Sequence, residues 1–209
     1  MIGIDEAGRG PVIGPLVMAG VFIEDDSGLI AMGVKDSKLL SPLKREQLFD
    51  KIKELPHFII SIPAEQVDAA LNDPNLNLNK LELITAAKII NELPGKVAML
   101  DAPGSNISAM IEYTQQFITR DIDLKAEHKA DLNYPVVGAA SILAKVTRDR
   151  EIERMKREIQ IDFGSGYPSD PKTVKFLKEN HDKYDIFRKT WSSWKKIAMS
   201  QNQGTLGKY

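Results

Sequence analysis

Four acidic side chains are placed where they could do chemistry together. Asp5 and Glu6 are adjacent and close the apolar run Met1-Ile2-Gly3-Ile4. Asp101 follows Val97-Ala98-Met99-Leu100, and Asp131 stands in Glu127-His128-Lys129-Ala130-Asp131, ahead of a helical pattern. Carboxylates brought together repel one another and bind protons more tightly unless cations sit among them. The chain has no Cys and only 3 His, so such a site has oxygen donors, which suit Mg²⁺ or Mn²⁺ and not Zn²⁺. Two such ions about 4 Å apart activate a water and stabilise the leaving oxygen of a phosphodiester. Taken singly, each acid also reads as a helix cap, a turn acid or a solvated side chain. Neighbouring strand residues point to opposite faces, so Asp5 and Glu6 share a site only if the strand ends or bends near Gly8.

Other candidates surround these acids. Gly8-Arg9-Gly10 is not a Walker loop, because no Gly-Lys-Ser/Thr follows. Its bare backbone N–H groups could meet a phosphate or a sugar hydroxyl, or it is an ordinary strand connection. Lys35-Asp36-Ser37-Lys38 is a polar loop in which Lys38 could contact a phosphate. Ser141, Lys145 and Arg148 fall at i, i+4 and i+7, one face of one helix, which reads as a phosphate-binding stripe or a solvated basic face. Net charge is −1, but residues 1–119 hold 10 basic and 16 acidic side chains and residues 120–209 hold 18 and 13. That asymmetry permits cations in one half and a polyanion on the other, without requiring either.

The elements that must position these residues alternate. Strand patterns cover residues 1–5, 12–23, 57–62, 97–100 and 123–127, and Gly8-Arg9-Gly10-Pro11 turns the chain between the first two. Helical patterns start at Ser41-Pro42 and run over about 76–93, 107–117 and 136–159. Beyond Gly164-Ser165-Gly166 the chain reads as helices in a basic context, with residues 203–209 as a loose tail. This alternation predicts an α/β sheet with its site at strand ends, where Asp5 and Asp101 stand. The expected division is a catalytic domain over 1–163 and a helical extension over 164–209. At 209 residues, 43% hydrophobic and 27% charged, the chain can bury a real core, and the composition excludes collagen, coiled-coil rods and disordered tails. The N-terminus is acidic where a signal peptide is basic, and the longest apolar stretch is too short for a bilayer, so a soluble, cytoplasmic protein is expected.

In order along the chain, Ile4-Asp5-Glu6-Ala7-Gly8-Arg9-Gly10-Pro11, Asp36-Ser37-Lys38-Leu39, Asp101, Ala126-Glu127-His128-Lys129-Ala130-Asp131, Tyr134-Pro135 with the helix to Lys145, Gly166-Tyr167-Pro168 and Arg188-Lys189-Thr190-Trp191 resemble the type 2 ribonucleases H, the ribonuclease HII family. The likeness covers nearly the whole chain and is most like the archaeal short form. It implies a ribonuclease H-like mixed five-stranded sheet flanked by helices, with a C-terminal helical extension. It also implies an endonuclease that cuts RNA in RNA/DNA hybrids and single ribonucleotides in duplex DNA, 5′ of the ribonucleotide, leaving 3′-hydroxyl and 5′-phosphate ends.

By motif position the resemblance makes Asp5, Glu6, Asp101 and Asp131 the catalytic acids that hold two Mg²⁺ or Mn²⁺ ions. Gly8, Arg9 and Gly10 become the loop that senses the ribose 2′-hydroxyl, and Tyr167 the ring that stacks on the following sugar. Lys38, Ser141, Lys145 and Arg148 become phosphate contacts. His128 reads as a supporting histidine, and Trp191 and Trp194 as core anchors of the helical part. Gln203, Leu206 and Tyr209 resemble a motif that binds the replication sliding clamp, departing from it in ending after one aromatic residue. A monomer with no membrane association is expected. The rival readings are another ribonuclease H-like nuclease, of the junction-resolvase type, and a catalytically silent nucleic-acid- or clamp-binding module.

Overall fold

The computed structural model describes residues 1–34, 40–102 and 104–206, with the backbone alone over 201–206. Its strands are β1 (Ile2–Ala7), β2 (Leu16–Phe22), β3 (His57–Ile62), β4 (Val97–Asp101) and β5 (Asp123–Glu127). They form one sheet in the order β3-β2-β1-β4-β5. β1 runs antiparallel to β2 and parallel to β4, and β4 runs parallel to β5, so the sheet is mixed. The helices are α1 (Ser27–Ala31), α2 (Pro42–Ile52), α3 (Ala64–Asn72), α4 (Leu78–Glu92), α5 (Ile107–Gln115), α6 (Ala130–Asn133), α7 (Pro135–Ile159), α8 (Pro171–Asn180) and α9 (Ser192–Leu206). None of the described helices is long and apolar enough to cross a membrane.

The chain divides into two units. The first comprises Met1–Ala7, Val17–Ser61 and Leu78–Arg148, and contains most of the sheet. The central strand β1 is covered on both faces, and two cores result. One face packs Val17, Ala19, Val21 and Met99 against Val137, Ala140 and Leu143 of α7, and the other packs Ile4, Met18 and Leu100 against Leu83, Ala86 and Ile90 of α4. Each fully buried aliphatic side chain contributes about 1.5–3 kcal/mol, and these two layers hold the sheet between helices. Gly3 sets how near α7 comes: a Cβ there would stand 2.4 Å from the Val136 carbonyl carbon, so only glycine lets the helix start touch β1. α2 begins as its sequence indicates, with the Ser41 hydroxyl accepting from Lys44 N–H and Pro42 in the first turn.

The second unit comprises Gly8–Leu16, Ile62–Asn77 and the residues from Asp149 onward. Its core is Val12, Ile13, Ile152, Phe163, Phe176, Leu177 and Phe187, and the Phe163 and Phe176 rings lie 5.4 Å apart. Phe163 thus packs with α8, and the expected boundary at 163/164 falls inside this unit. The strand expected over 12–23 begins only at Leu16, because Gly14 takes φ +86° ahead of Pro15 and breaks the extended run. Val12 and Ile13 N–H donate instead to Gly166 O, at 2.9 and 3.3 Å, and Ile13 bridges Phe187. α1, α3 and α6 were not expected. α3 buries only Ala64 and Val67, too few positions to write a helical period. α9 continues to Leu206, where a loose tail was expected.

Two carboxylates hold the loop from Phe163 to α8. Asp170 accepts from the Ser165 N–H at 2.7 Å, the Ser165 hydroxyl at 2.8 Å and the Lys172 N–H at 2.9 Å. These bonds keep its pKa below the ordinary value, those from Ser165 first. Asp162 is likewise held well below the carboxylate range, by the Lys172 ammonium first, then the Gly164 N–H and Lys156. A carboxylate with a depressed folded pKa stabilises fully above its unfolded pKa, about 4, and loses that contribution as pH falls through the folded value. These two carboxylates therefore contribute no slope to the melting temperature between about pH 5 and 7 and lower it as pH falls below about 4. Asp5, with its raised pKa, instead makes stability fall as pH rises from about 4 to 7. Asp170→Ala should lower the melting temperature at neutral pH and reduce the acid slope. An unaltered acid slope in thermal denaturation of that variant would contradict the assignment.

Candidate active site

The first unit brings three of the four acids together, through register. The parallel β1–β4 ladder ends at the pair Ile4↔Leu100. One step beyond it stand Asp5 and Asp101, on neighbouring strands that lie about 4.8 Å apart. Both have the parity of Gly3 and Met99, on the face that α7 covers. Asp131 is delivered from β5's far end: Asp101 accepts from the Ala130 N–H at 3.0 Å, which ties the first turn of α6 to the end of β4. Asp5 is 6% exposed and Asp131 1%. Burial pushes the Asp5 pKa up to about 7, and the charges of Asp101 and Asp131 push the same way. A hydrogen bond from the Ser141 hydroxyl and one from the Glu6 N–H, 2.7 Å from Oδ1, oppose that rise.

Glu6 stands apart from this trio. β1 stays regular to Ala7, so the strand neither ends nor bends at the acids, and Glu6 points to the opposite face from Asp5. There it lines a small cavity with Met18, Glu82 and Leu83, to which Asp101 at its strand end also contributes. Among the described residues, no three acidic or histidine side chains are gathered tightly enough to grip one ion as they stand. The donor chemistry nevertheless fits a hard divalent cation: oxygen ligands only, with a buried carboxyl whose proton a cation would displace.

The remaining candidates distribute between the units. In the first, Ser141 is buried and engaged with Asp5, Lys145 is half-buried and Arg148 is 3% exposed. The stripe on α7 is thus an inward face of the helix at Ser141 and Arg148, not a solvated one. Lys38 lies outside the described residues. His128 is exposed in the turn before α6, where Lys129 takes φ +60°.

In the second unit, Gly8 takes φ +87°, which a side chain would strain, and opens the Gly8-Arg9-Gly10 loop. The Tyr167 ring, 39% exposed, lies beside Gly10: a Cβ on Gly10 would meet its Cε1 at 3.5 Å. Trp194 is half-buried in the helical core and donates Nε1–H to His181 O at 3.0 Å, as an anchor should. Trp191 packs there too, but its Nε1–H goes to Gly10 O at 3.1 Å. The side chains of Gln203 and Leu206, and all of Tyr209, lie outside the described residues.

Two polar residues, Glu82 and Asp68, stand outside the sequence reading, and a third, Arg188, enters it only within a family segment and without a role. Glu82 is 1% exposed on α4, among Leu83, Thr85, Ala86 and Ala87. An acid inside a buried helical stripe was the signal available for it. Arg188 is wholly buried, and Asp68 on α3 caps the turn that follows it, accepting from Lys189 N–H, Thr190 N–H and the Thr190 hydroxyl. Asp68 has no periodic or motif signature of its own, and Arg188 stands in the Arg188-Lys189-Thr190-Trp191 segment, where nothing local marks its burial.

The comparisons with known proteins agree with this architecture. The family model described as Ribonuclease HII matches residues 2–195. Ribonuclease HII of Pyrococcus abyssi is 43% identical over 205 residues, covering 93% of this chain and 89% of that protein. The crystal structure of ribonuclease H2 from Pyrococcus horikoshii OT3 aligns with a TM-score of 0.88 at 37% identity, over 97% of this chain and 98% of that one. The structure of the PCNA:RNase HII complex from Archaeoglobus fulgidus aligns with a TM-score of 0.86 at 39% identity, over 94% and 95% of the two chains. With a ribonuclease H-like mixed sheet and this match along nearly its whole length, the chain belongs to the ribonuclease HII family of metal-dependent endoribonucleases.

Proposed function

We propose that this enzyme cuts the RNA strand of RNA/DNA hybrids and single ribonucleotides embedded in duplex DNA, 5′ of the ribonucleotide, leaving 3′-hydroxyl and 5′-phosphate ends. The observation that carries the reading is the gathering of Asp5, Asp101 and Asp131 on one face at the ends of parallel strands. Asp5, Glu6, Asp101 and Asp131 hold two divalent ions, Mg²⁺ or Mn²⁺, with Glu6 reaching them from the other face beside Asp101, with which it lines a cavity. When bound, such ions activate a water and neutralise charge on the scissile phosphate. Ser141 holds the Asp5 carboxylate in orientation, and the Ala130 N–H does the same for Asp101.

Gly8, Arg9 and Gly10 read the 2′-hydroxyl through backbone groups, the one feature that separates RNA from DNA at a given nucleotide. Tyr167 supplies an exposed ring for stacking beside Gly10. Lys38 and Lys145 serve the phosphate backbone, and Arg148, buried on the inward face of α7, supports them from behind. A monomeric, cytoplasmic enzyme belongs to the same reading. So does docking on the replication sliding clamp through Gln203, Leu206 and Tyr209, which the clamp complex of the Archaeoglobus fulgidus relative supports.

The decisive assay uses a labelled DNA duplex with one ribonucleotide, beside all-DNA and full hybrid duplexes, with Mg²⁺, Mn²⁺ or a chelator. The expected result is a metal-dependent cut 5′ of the ribonucleotide with all-DNA untouched. Asp101→Asn should abolish it, and Ser141→Ala should lose about 10–100-fold in rate or metal affinity. Intact cleavage by Asp101→Asn would disprove the carboxylate assignment, and cutting of all-DNA would favour the resolvase-type rival. Tyr167→Ala should slow cleavage at a lone ribonucleotide about tenfold, the scale of one aromatic stacking contact. Lys145→Ala should instead weaken every duplex alike and flatten the salt dependence. Equal losses across substrates for both variants would remove that distinction. Deleting residues 203–209 should eliminate binding to the sliding clamp in calorimetry, and retained binding would refute the tail's role.

A further inference from the structure

The loop of Gly8, Arg9 and Gly10 has no secondary structure to hold it, yet its carbonyls are tied down individually. The buried Arg188 guanidinium donates Nη1–H to Arg9 O at 3.2 Å and Nε–H to Gly14 O at 3.0 Å. Trp191 donates Nε1–H to Gly10 O at 3.1 Å. The two side chains are themselves coupled, with the Arg188 guanidinium 4.8 Å from the Trp191 ring centroid. The backbone repeats the grip: Arg188 N–H donates to Val12 O at 2.8 Å, and Gly14 N–H to Ile186 O at 2.9 Å.

Fixing these carbonyls determines what the loop can offer a ligand. Every peptide bond here is trans, and in a planar trans peptide the C=O and the following N–H point in opposite directions. Anchoring Arg9 O to Arg188 therefore aims the Gly10 N–H away from the helical part. The next peptide, into Pro11, has no N–H, and the Val12 and Ile13 N–H groups are spent on Gly166 O. Within residues 10–13, Gly10 alone keeps a directed backbone donor on the outward side, next to the Tyr167 ring. That donor's direction is set by Arg188 through the Arg9 carbonyl, and Trp191 fixes the next peptide through the Gly10 carbonyl, so the two hold Gly10 from both sides. The turn that carries both is pinned by Asp68 through bonds of 2.6 Å from Lys189 N–H and 3.0 Å from Thr190 N–H, with the Thr190 hydroxyl on the same carboxylate.

We infer that Arg188 and Trp191 are positioning residues for ribonucleotide selection: they clamp the carbonyl side of the loop so that its N–H side meets the sugar, and Asp68 fixes the turn that carries the clamp. The inference rests on the reading of Gly8-Arg9-Gly10 as the 2′-hydroxyl sensor. It assigns work to a segment some 180 residues away in the chain. A loosened loop matters most for a lone ribonucleotide, which offers one productive register. A long hybrid presents a 2′-hydroxyl at every step, so a slack loop still finds one. Misplacement by about 1 Å in a positioning group costs up to a hundredfold in rate.

The test compares Trp191→Phe with Trp194→Phe in the full-length, metal-loaded enzyme. Each removes one indole N–H bond to a backbone carbonyl in the same unit, to Gly10 O in the first and to His181 O in the second. The readout is kcat/KM on a duplex with one ribonucleotide divided by kcat/KM on a long RNA/DNA hybrid. Trp191→Phe is expected to lower this ratio about tenfold and Trp194→Phe to leave it unchanged. Asp68→Ala, outside the loop and the clamp, should move the ratio in the same direction as Trp191→Phe, which keeps the inference testable if the first variant folds poorly. An unchanged ratio in both Trp191→Phe and Asp68→Ala overturns the inference. Equal falls in the Trp191 and Trp194 variants also overturn it, since they would reflect general loosening of the helical unit. Failure of the unmutated enzyme to cut at a lone ribonucleotide, while cutting the hybrid, would instead remove the sensor reading on which the clamp depends.

Discussion

Burying the Asp5 carboxylate against two more acids opposes folding, and much of the first unit is arranged to hold that cluster in place. Desolvation disfavours its charge and the neighbouring charges of Asp101 and Asp131 add to the penalty, so its carboxyl keeps its proton to about pH 7. Two local hydrogen bonds, from Ser141 and Glu6, recover only part of this. What keeps Asp5 and Asp101 together is the hydrogen-bonded register of the parallel β1–β4 ladder, which cannot be lost without breaking the sheet, and the Ala130 N–H on Asp101 brings in the turn that carries Asp131. The ladder in turn is stable because Gly3 allows α7 to press on one face while α4 covers the other. A strained, charge-rich cluster supported by ordinary apolar layers is the usual placement of an active site.

The second unit solves a different problem. Its functional segment is a loop, and a loop without a ladder must satisfy its backbone groups one at a time. Gly166 O takes the N–H groups of Val12 and Ile13, Arg188 and Trp191 take carbonyls, and Asp170 organises the turn that brings in Tyr167. Every one of these partners comes from at least about 150 residues further along the chain. The loop's conformation is thus a property of the folded unit, not of its glycines. The glycines make the conformation accessible, and the distant donors select it.

The basic excess of residues 120–209 is smaller in practice than in the count. Arg154 is paired with Glu151 and Glu158, Lys156 with Glu153 and Asp162, and Lys172 with Asp162. Exposed pairs of this kind stabilise little, typically under about 1 kcal/mol, but they do neutralise charge locally. A polyanion therefore meets a surface less positive than the composition implies, with the unpaired remainder setting where it is attracted.

Much of the sheet was legible along the chain. β3, β4 and β5, the capped start of α2 and the long α7 all follow from apolar runs, period and Pro/Ser punctuation, which are local properties. Short α1 and α3 were not, because helices that bury one or two residues leave no periodic trace. Motif order in the sequence pointed to the family and nominated Glu6 together with Asp5, Asp101 and Asp131, but spacing carries no distance. Only the tertiary structure decided that these three share a face through the β1–β4 register, while Glu6, one residue from Asp5, turns to the other layer beside Glu82. The same holds for Arg188, Trp191 and Asp68. Their meaning lies in which carbonyls and amides they reach, and long-range hydrogen bonds leave no pattern in a sequence read one window at a time.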